Sequence, residues 1–213
     1  MRTELQAELD LVKQMLVAAG EAVRTAIGGA TAALLAADRA AAESAIAGDE
    51  KINDLCWRIE DRVRDTMARQ APVATDLRAL FSAVYVAADL ERMGDLAKHV
   101  ARTAAHGEPQ PAEVAPLFGQ MAGVADRMAA KLVRVLSEPD AARATELAQD
   151  DNAMDALHRD LLARLFHPSW SYGTQAAIDA ALLGRFYERY ADHAVNAGRR
   201  VAFLVSAERE RAA

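Results

Sequence analysis

Leu90-Glu91-Arg92-Met93-Gly94-Asp95 returns later in the chain as Tyr187-Glu188-Arg189-Tyr190-Ala191-Asp192. Each copy carries an acid, an arginine, and a second acid four residues after the first. Ahead of each copy stands another related pair of segments. These are Asp49-Glu50-Lys51-Ile52-Asn53 and Asp151-Asn152-Ala153-Met154-Asp155. Related segments in the same order in each half mark an internal repeat. Between them apolar residues step by three and four, as in Leu5, Leu9, Val12, Leu16, Ala19 and Val23, which is the helical period. The spacing predicts six long helices, over 3–37, 39–70, 75–106, 112–137, 140–167 and 174–207. The expected fold is all-α, two pseudo-repeated three-helix bundles spanning 1–107 and 111–213.

The breaks between helices have local causes. They fall at Gly48, Pro72, Gly107-Glu108-Pro109-Gln110-Pro111, Pro139, and His167 through Gly173. Pro72 pushes the residue before it out of the helical region and ends the second helix. Thr75 and Thr174 are the expected N-caps of the third and sixth helices, because a side-chain oxygen accepts an otherwise unpaired N–H there. Gly28-Gly29 falls inside the first helix at a cost of about 2 kcal/mol relative to alanine, which points to a kink or a close helix crossing.

Composition agrees and excludes several functions. The chain has 213 residues, 52% hydrophobic but only 5% aromatic. Much of that apolar share is alanine, the best helix former. With 25 basic and 31 acidic residues the net charge is −6, which argues against a nucleic-acid binder, since such proteins neutralise phosphates with a basic surface. The single cysteine, Cys56, allows no internal disulfide and fits a reducing cytosol. The start of the chain lacks a basic segment followed by an apolar one, so no signal peptide is expected. No run of about 18 uncharged apolar residues is present, so no transmembrane helix is expected either. A cytoplasmic protein that meets membranes only through partners is the resulting expectation.

The acids carry the chemistry. Residues four apart share a helix face. Glu91 with Asp95, Glu188 with Asp192, and Asp151 with Asp155 therefore project together, and Asp49 pairs with the amide Asn53. Like charges at this spacing repel, and a bridging cation would remove the penalty. Carboxylates on facing helices are how bundle proteins build metal clusters. The plainer reading is a solvated acidic face partnered by Arg92 and Arg189. Cys56 and His158 lie two turns after Asp49 and Asp151, where each is either a metal ligand or a packing residue. His99 and His193 read as hydrogen-bonded packing residues, and Trp57 and Trp170 as core or inter-helix packing. There is no Gly-x-Gly-x-x-Gly, P-loop or Gly-x-Ser-x-Gly. A di-iron oxidase would need Glu-x-x-His twice, and only Asp155-Ala156-Leu157-His158 approaches it.

These residues resemble the PhoU family of phosphate-signalling regulators over nearly the whole chain. Ala47 through Asn53 looks like its Gly-Asp-x-x-Val-Asn segment. Arg69-Gln70-Ala71-Pro72-Val73-Ala74-Thr75-Asp76-Leu77-Arg78 resembles its Arg-Gln-x-Pro-x-Ala-x-Asp-Leu-Arg turn. Glu91 to Asp95 and Glu188 to Asn196 are similar to its two Glu-Arg-x-x-Asp motifs. The stretch from Leu183 to Ala194 looks most like the actinobacterial branch. The resemblance implies two three-helix bundles carrying multinuclear iron or zinc clusters. Carried over, one cluster would use Asp49, Asn53, Glu91 and Asp95, and the other Asp151, Asp155, Glu188 and Asp192. Asn53 departs from the pattern by lacking a carboxylate, and Ala191 replaces a glycine. The resemblance also implies a non-enzymatic adaptor that represses the phosphate-starvation response when phosphate is plentiful. Its implied partners are a sensor histidine kinase and the ATPase subunit of the phosphate ABC transporter, and a homodimer is expected. Two other readings remain from the residues alone, a carboxylate-bridged metalloenzyme and a structural helical adaptor without functional metal.

Overall fold

The computed structural model describes residues 2–138 and 140–212, without the side chains of Arg2, Ala141 and 204–212. Six helices follow one another: α1 (Arg2–Ala36), α2 (Arg39–Gln70), α3 (Ala74–Ala104), α4 (Ala115–Ser137), α5 (Ala141–Leu165) and α6 (Gly173–Ala212). No strand occurs among the described residues. The six helices sit where the apolar period places them, and Pro139, expected as a break, lies outside the described residues.

Each helix buries one stripe. On α2 it is Asp49, Ile52, Cys56, Ile59, Val63 and Thr66, stepping by three and four as an amphipathic helix must. On α4 the stripe is wider, from Leu117 and Phe118 through Met121, Ala125 and Met128 to Leu132 and Leu136. Burying each large side chain of this kind contributes about 1.5–3 kcal/mol before conformational entropy is set against it.

Packing sorts the helices into two sets. α1, α2 and α3 touch one another pairwise, and so do α4, α5 and α6. The two three-helix bundles join through α1 against α4 and α3 against α6. α2 and α5 flank this four-helix centre. The core is continuous across the seam. Tyr187 and Tyr190 of α6 are fully buried and reach across to α1. Thr31 Oγ1 spends its one hydrogen on the Ile27 carbonyl at 2.8 Å. The Tyr187 hydroxyl, 2.7 Å away, is therefore the donor to Thr31. Tyr190 donates to the Val23 carbonyl at 3.2 Å. Burial holds both phenols well above the usual tyrosine range.

Four expectations need correction, the first being Gly48, which lies inside α2 and breaks no helix. The helix caps are Asp38 and Asp140, whose carboxylates accept from Ala41 N at 3.0 Å and Ala142 N at 2.8 Å. Thr75 and Thr174 lie inside α3 and α6, because those helices already start at Ala74 and Gly173, two residues before a threonine cap would allow. Gly28 and Gly29 mark no close crossing. They are exposed, α1 runs through them, and an added Cβ on either would meet nothing within 4 Å. The close crossing is instead at Gly20, where a Cβ would stand 3.0 Å from Val133 Cγ2 of α4. Trp57 is 60% exposed, because it lies one residue off the buried stripe that passes through Cys56. Trp170 does pack at the edge of the core, with its indole N–H on the Gly173 carbonyl at 2.9 Å.

Candidate functional site

The repeat places equivalent residues on equivalent faces, with Asp49 and Cys56 buried and their counterparts Asp151 and His158 half-buried. Asp49, Ile52, Cys56 and Ile59 on α2 correspond to Asp151, Met154, His158 and Leu161 on α5. Both acids fall on the buried stripe of their helix rather than on its solvent face. A carboxylate there needs a partner, because an uncompensated buried charge is costly.

In the first half the chain supplies that partner itself. Lys98 Nζ of α3 stands 2.5 Å from Asp49 Oδ2, and Asn53 Nδ2 donates to the same oxygen at 3.1 Å. The Asp49 side chain is only 2% exposed. α2 comes close enough for this contact beside Gly94, where a Cβ would sit 3.0 Å from Ile52 Cγ2 and 3.5 Å from Asp49 Oδ1. Asp95 accepts from Arg92 at 3.2 Å, as the plainer reading of that pair expected. Glu91 acts on Cys56. Burial, helped by Glu91 and Glu60, pushes the thiol up to about 12. Without a metal, Cys56 is therefore a protonated core residue.

The second half is built differently. If Glu91 matches Glu188, the counterpart of Lys98 is Val195, which is buried and apolar. Burial raises the carboxyl of Asp151, and the charges of Asp155 and Asp192 raise it further, with Arg199 opposing. Burial also raises Glu188, again with Asp192 and Asp155 adding, while Arg185 opposes. The four carboxylates thus lie in one another's field, two from α5 and two from α6. Glu188 takes an ion pair from Arg185 rather than from the expected Arg189. His158 is half-buried beside Gly184 of α6, and burial with Arg185 lowers its pKa, so the imidazole is neutral at about pH 7.

Buried oxygens without a hydrogen-bond partner fall on the expected residues. They include Asp49 Oδ1 and Asn53 Oδ1 in the first half, and Asp151 Oδ1 and Glu188 Oε2 in the second. Asp150 Oδ2, one residue before Asp151 on α5, faces Lys131 at 2.8 Å in a separate ion pair. Among the described residues no three His, Cys, Asp or Glu side chains converge as a ready-made metal cage. What the second half offers is one orphaned oxygen from each of two helices, with two further carboxylates beside them, Arg185 and Arg199 opposing, and no lysine against them among the described residues. That oxygen-rich donor set fits a hard cation. The first half fits one poorly, since Lys98 already stands against its buried acid.

Sequence reasoning missed three things here. Lys98 lies seven residues after Glu91, two turns along the same face, and that spacing could have flagged it. Arg185 and Arg199 set the second half's charge balance. Asp89 is a buried acid on α3 that accepts from His193 Nδ1 at 3.0 Å and Arg200 Nε at 3.3 Å, both on α6. His193 is thus the hydrogen-bonded packing residue expected. His99 packs too, by stacking on Phe186 with ring centroids 5.0 Å apart.

Comparison with known proteins agrees with this architecture. The family description "PhoU domain" matches residues 16–104 and 118–201, one stretch in each half. The chain is 42% identical over 206 residues to the phosphate-specific transport system accessory protein PhoU homolog 2 of Mycobacterium tuberculosis, covering 95% of this chain and 97% of the relative. It is also 42% identical over 206 residues to homolog 1 of Mycobacterium leprae, covering 95% and 93%. These mycobacterial relatives agree with the actinobacterial resemblance. The crystal structure of PhoU from Pseudomonas aeruginosa superposes with a TM-score of 0.86 at 28% identity, covering 94% of this chain and 98% of that one.

Proposed function

This chain belongs to the PhoU family, and on that premise we propose that it is a regulatory accessory protein of phosphate-specific transport. The carrying observation is the two-copy family match, joined to 42% identity with transport accessory proteins along nearly the full length of both chains. In this reading it works on the cytoplasmic side as an adaptor and not as a catalyst. When phosphate is plentiful it restrains the phosphate ABC transporter through the ATPase subunit, and it holds the sensor kinase in its repressing state. An acidic surface suits protein partners better than nucleic acid. A homodimer is the default assembly for such a chain.

Asp151, Asp155, Glu188 and Asp192 would hold the metal, iron or zinc. It would add positive charge beyond that of Arg185 and Arg199 to four neighbouring carboxylates, and so tie α5 to α6. Asp49, Asn53, Glu91 and Asp95 do not need it in the same way, because Lys98 holds Asp49. The structural-adaptor reading therefore suits the first half.

Phosphate uptake tests the regulatory role. A strain lacking this gene and any paralogue, grown in excess phosphate, should take up labelled phosphate several-fold faster than its parent. Uptake equal to the parent's would contradict negative regulation.

A further inference from the structure

The seam between α3 and α6 ends in a groove of about 550 Å³. One wall is Arg78, Phe81 and Tyr85 of α3, and the other is Arg199, Arg200 and Phe203 of α6. The three rings are half-exposed or more: Phe81 50%, Tyr85 53% and Phe203 65%. Among the described residues no acidic one lines the groove. In a chain of net charge −6, three arginines stand in the described walls of this cleft; Arg200 is partly offset by Asp89 and Arg199 by Asp151, which leaves Arg78 the most available cation. Arg200 is held in place. Its guanidinium lies 4.5 Å over the Tyr85 ring, and its Nε meets buried Asp89.

The internal repeat supplies a control. The counterparts of Phe81 and Tyr85 are Ile178 and Leu182, also exposed, so both ends of the seam leave apolar side chains uncovered. The counterparts of Arg200 and Phe203 are Thr103 and His106. Arg199 keeps an arginine as its counterpart, Arg102, but Arg78, Phe81 and Tyr85 are matched by Gln175, Ile178 and Leu182, so among the described residues the paired aromatic walls belong to the end formed by the start of α3 and the later turns of α6.

Aromatic residues and arginine are the types enriched at the energetic centres of protein interfaces. Both walls repeat at three- and four-residue spacing along their helices, the geometry that receives a helix laid lengthwise. We propose that this groove docks an acidic amphipathic helix of a partner protein. The partner's apolar face would cover Phe81, Tyr85 and Phe203, and its carboxylates would meet Arg78, Arg199 and Arg200. The occupant is acidic by charge complementarity, which also disfavours a second copy of this acidic chain. The assignment rests on the groove and stands whether or not the chain regulates phosphate uptake.

The test uses the full chain and two fluorescent helical peptides. Each has leucine and phenylalanine on one face, and the flanking positions are all glutamate in one peptide and all lysine in the other. The glutamate peptide should bind at least about tenfold tighter than the lysine peptide. Phe81→Ser and Phe203→Ser should each weaken it by about tenfold. Arg78→Glu should remove the preference for glutamate. These side chains are exposed and leave the Asp89–Arg200 contact in place, so circular dichroism should match the wild type. Equal binding of the two peptides, or unchanged binding by the variants, overturns the proposal. Two other results also overturn it. One is wild-type binding to phosphatidylglycerol vesicles, lost in the variants, with no peptide binding. The other is a dimer in sedimentation that Phe81→Ser dissociates.

Discussion

Asp151 and Glu188 are acids placed where their charge is unwelcome. Burial and the carboxylates of Asp155 and Asp192 raise both above their ordinary values. A carboxyl that holds its proton more tightly in the folded chain than in the unfolded one adds stability at low pH. That contribution is complete below the unfolded value and is lost as pH rises through the folded one. The metal-free protein should therefore lose stability, through these two groups, as pH rises above the ordinary carboxylate range. Asp151→Asn removes one charge from the set. At about pH 7 it should stabilise the metal-free protein by roughly 0.5 kcal/mol, the scale of relieving like charges one helical turn apart. It should also flatten the pH dependence relative to the wild type. Added iron or zinc should raise the melting temperature of the wild type, since a ligand specific to the folded state stabilises it. Asp151→Asn should blunt that rise, and Asp49→Asn should not. Thermal melts across pH, with and without metal, read all of this. A variant that melts lower without metal, or an equal metal response from all three proteins, would contradict the assignment.

At the scale of helices, the connection from α1 to α2 shows what the sequence made legible and what it hid. The helical period announced both helices, because burying a stripe every three to four residues leaves a plain trace in the chain. The link between them is set by hydrogen bonds that have no such trace. Ala37 adopts φ 50°, and the chain closes with Asp38 N on the Ala33 carbonyl at 2.9 Å and Ala37 N on Leu34 at 3.3 Å. This is the helix-ending arrangement in which glycine is usual. Asp38 then caps α2. Ala37→Gly should therefore raise stability by up to about 1 kcal/mol, the cost of a left-handed conformation for an alanine. Urea unfolding should show a higher midpoint at unchanged slope, and a lower midpoint would refute the argument. The same limit applies at the site. Repeated acids at four-residue spacing were readable as a set. That Asp49 meets Lys98 while Asp151 meets no lysine depends on how α2 and α5 sit against α3 and α6, which no local pattern encodes. Trp57 was misread for a simpler reason, since counting from Cys56 along the buried stripe places it outside.

As a whole molecule, the chain is one bundle used twice, with the copies joined through α1, α3, α4 and α6. The flanking helices α2 and α5 bring an acid to each outer seam, and the two seams have diverged. One is closed by an ammonium within the chain, and the other is left acidic and suited to a cation. Diverged copies within one frame suit a protein that meets more than one partner, which is the role proposed. The most direct test is alkaline phosphatase activity during phosphate-rich growth, in a strain lacking this gene and any paralogue. The account predicts high activity in that strain and repression restored by the wild-type gene. Activity that stays high with folded wild-type protein present, or that was never raised by the deletion, would contradict it.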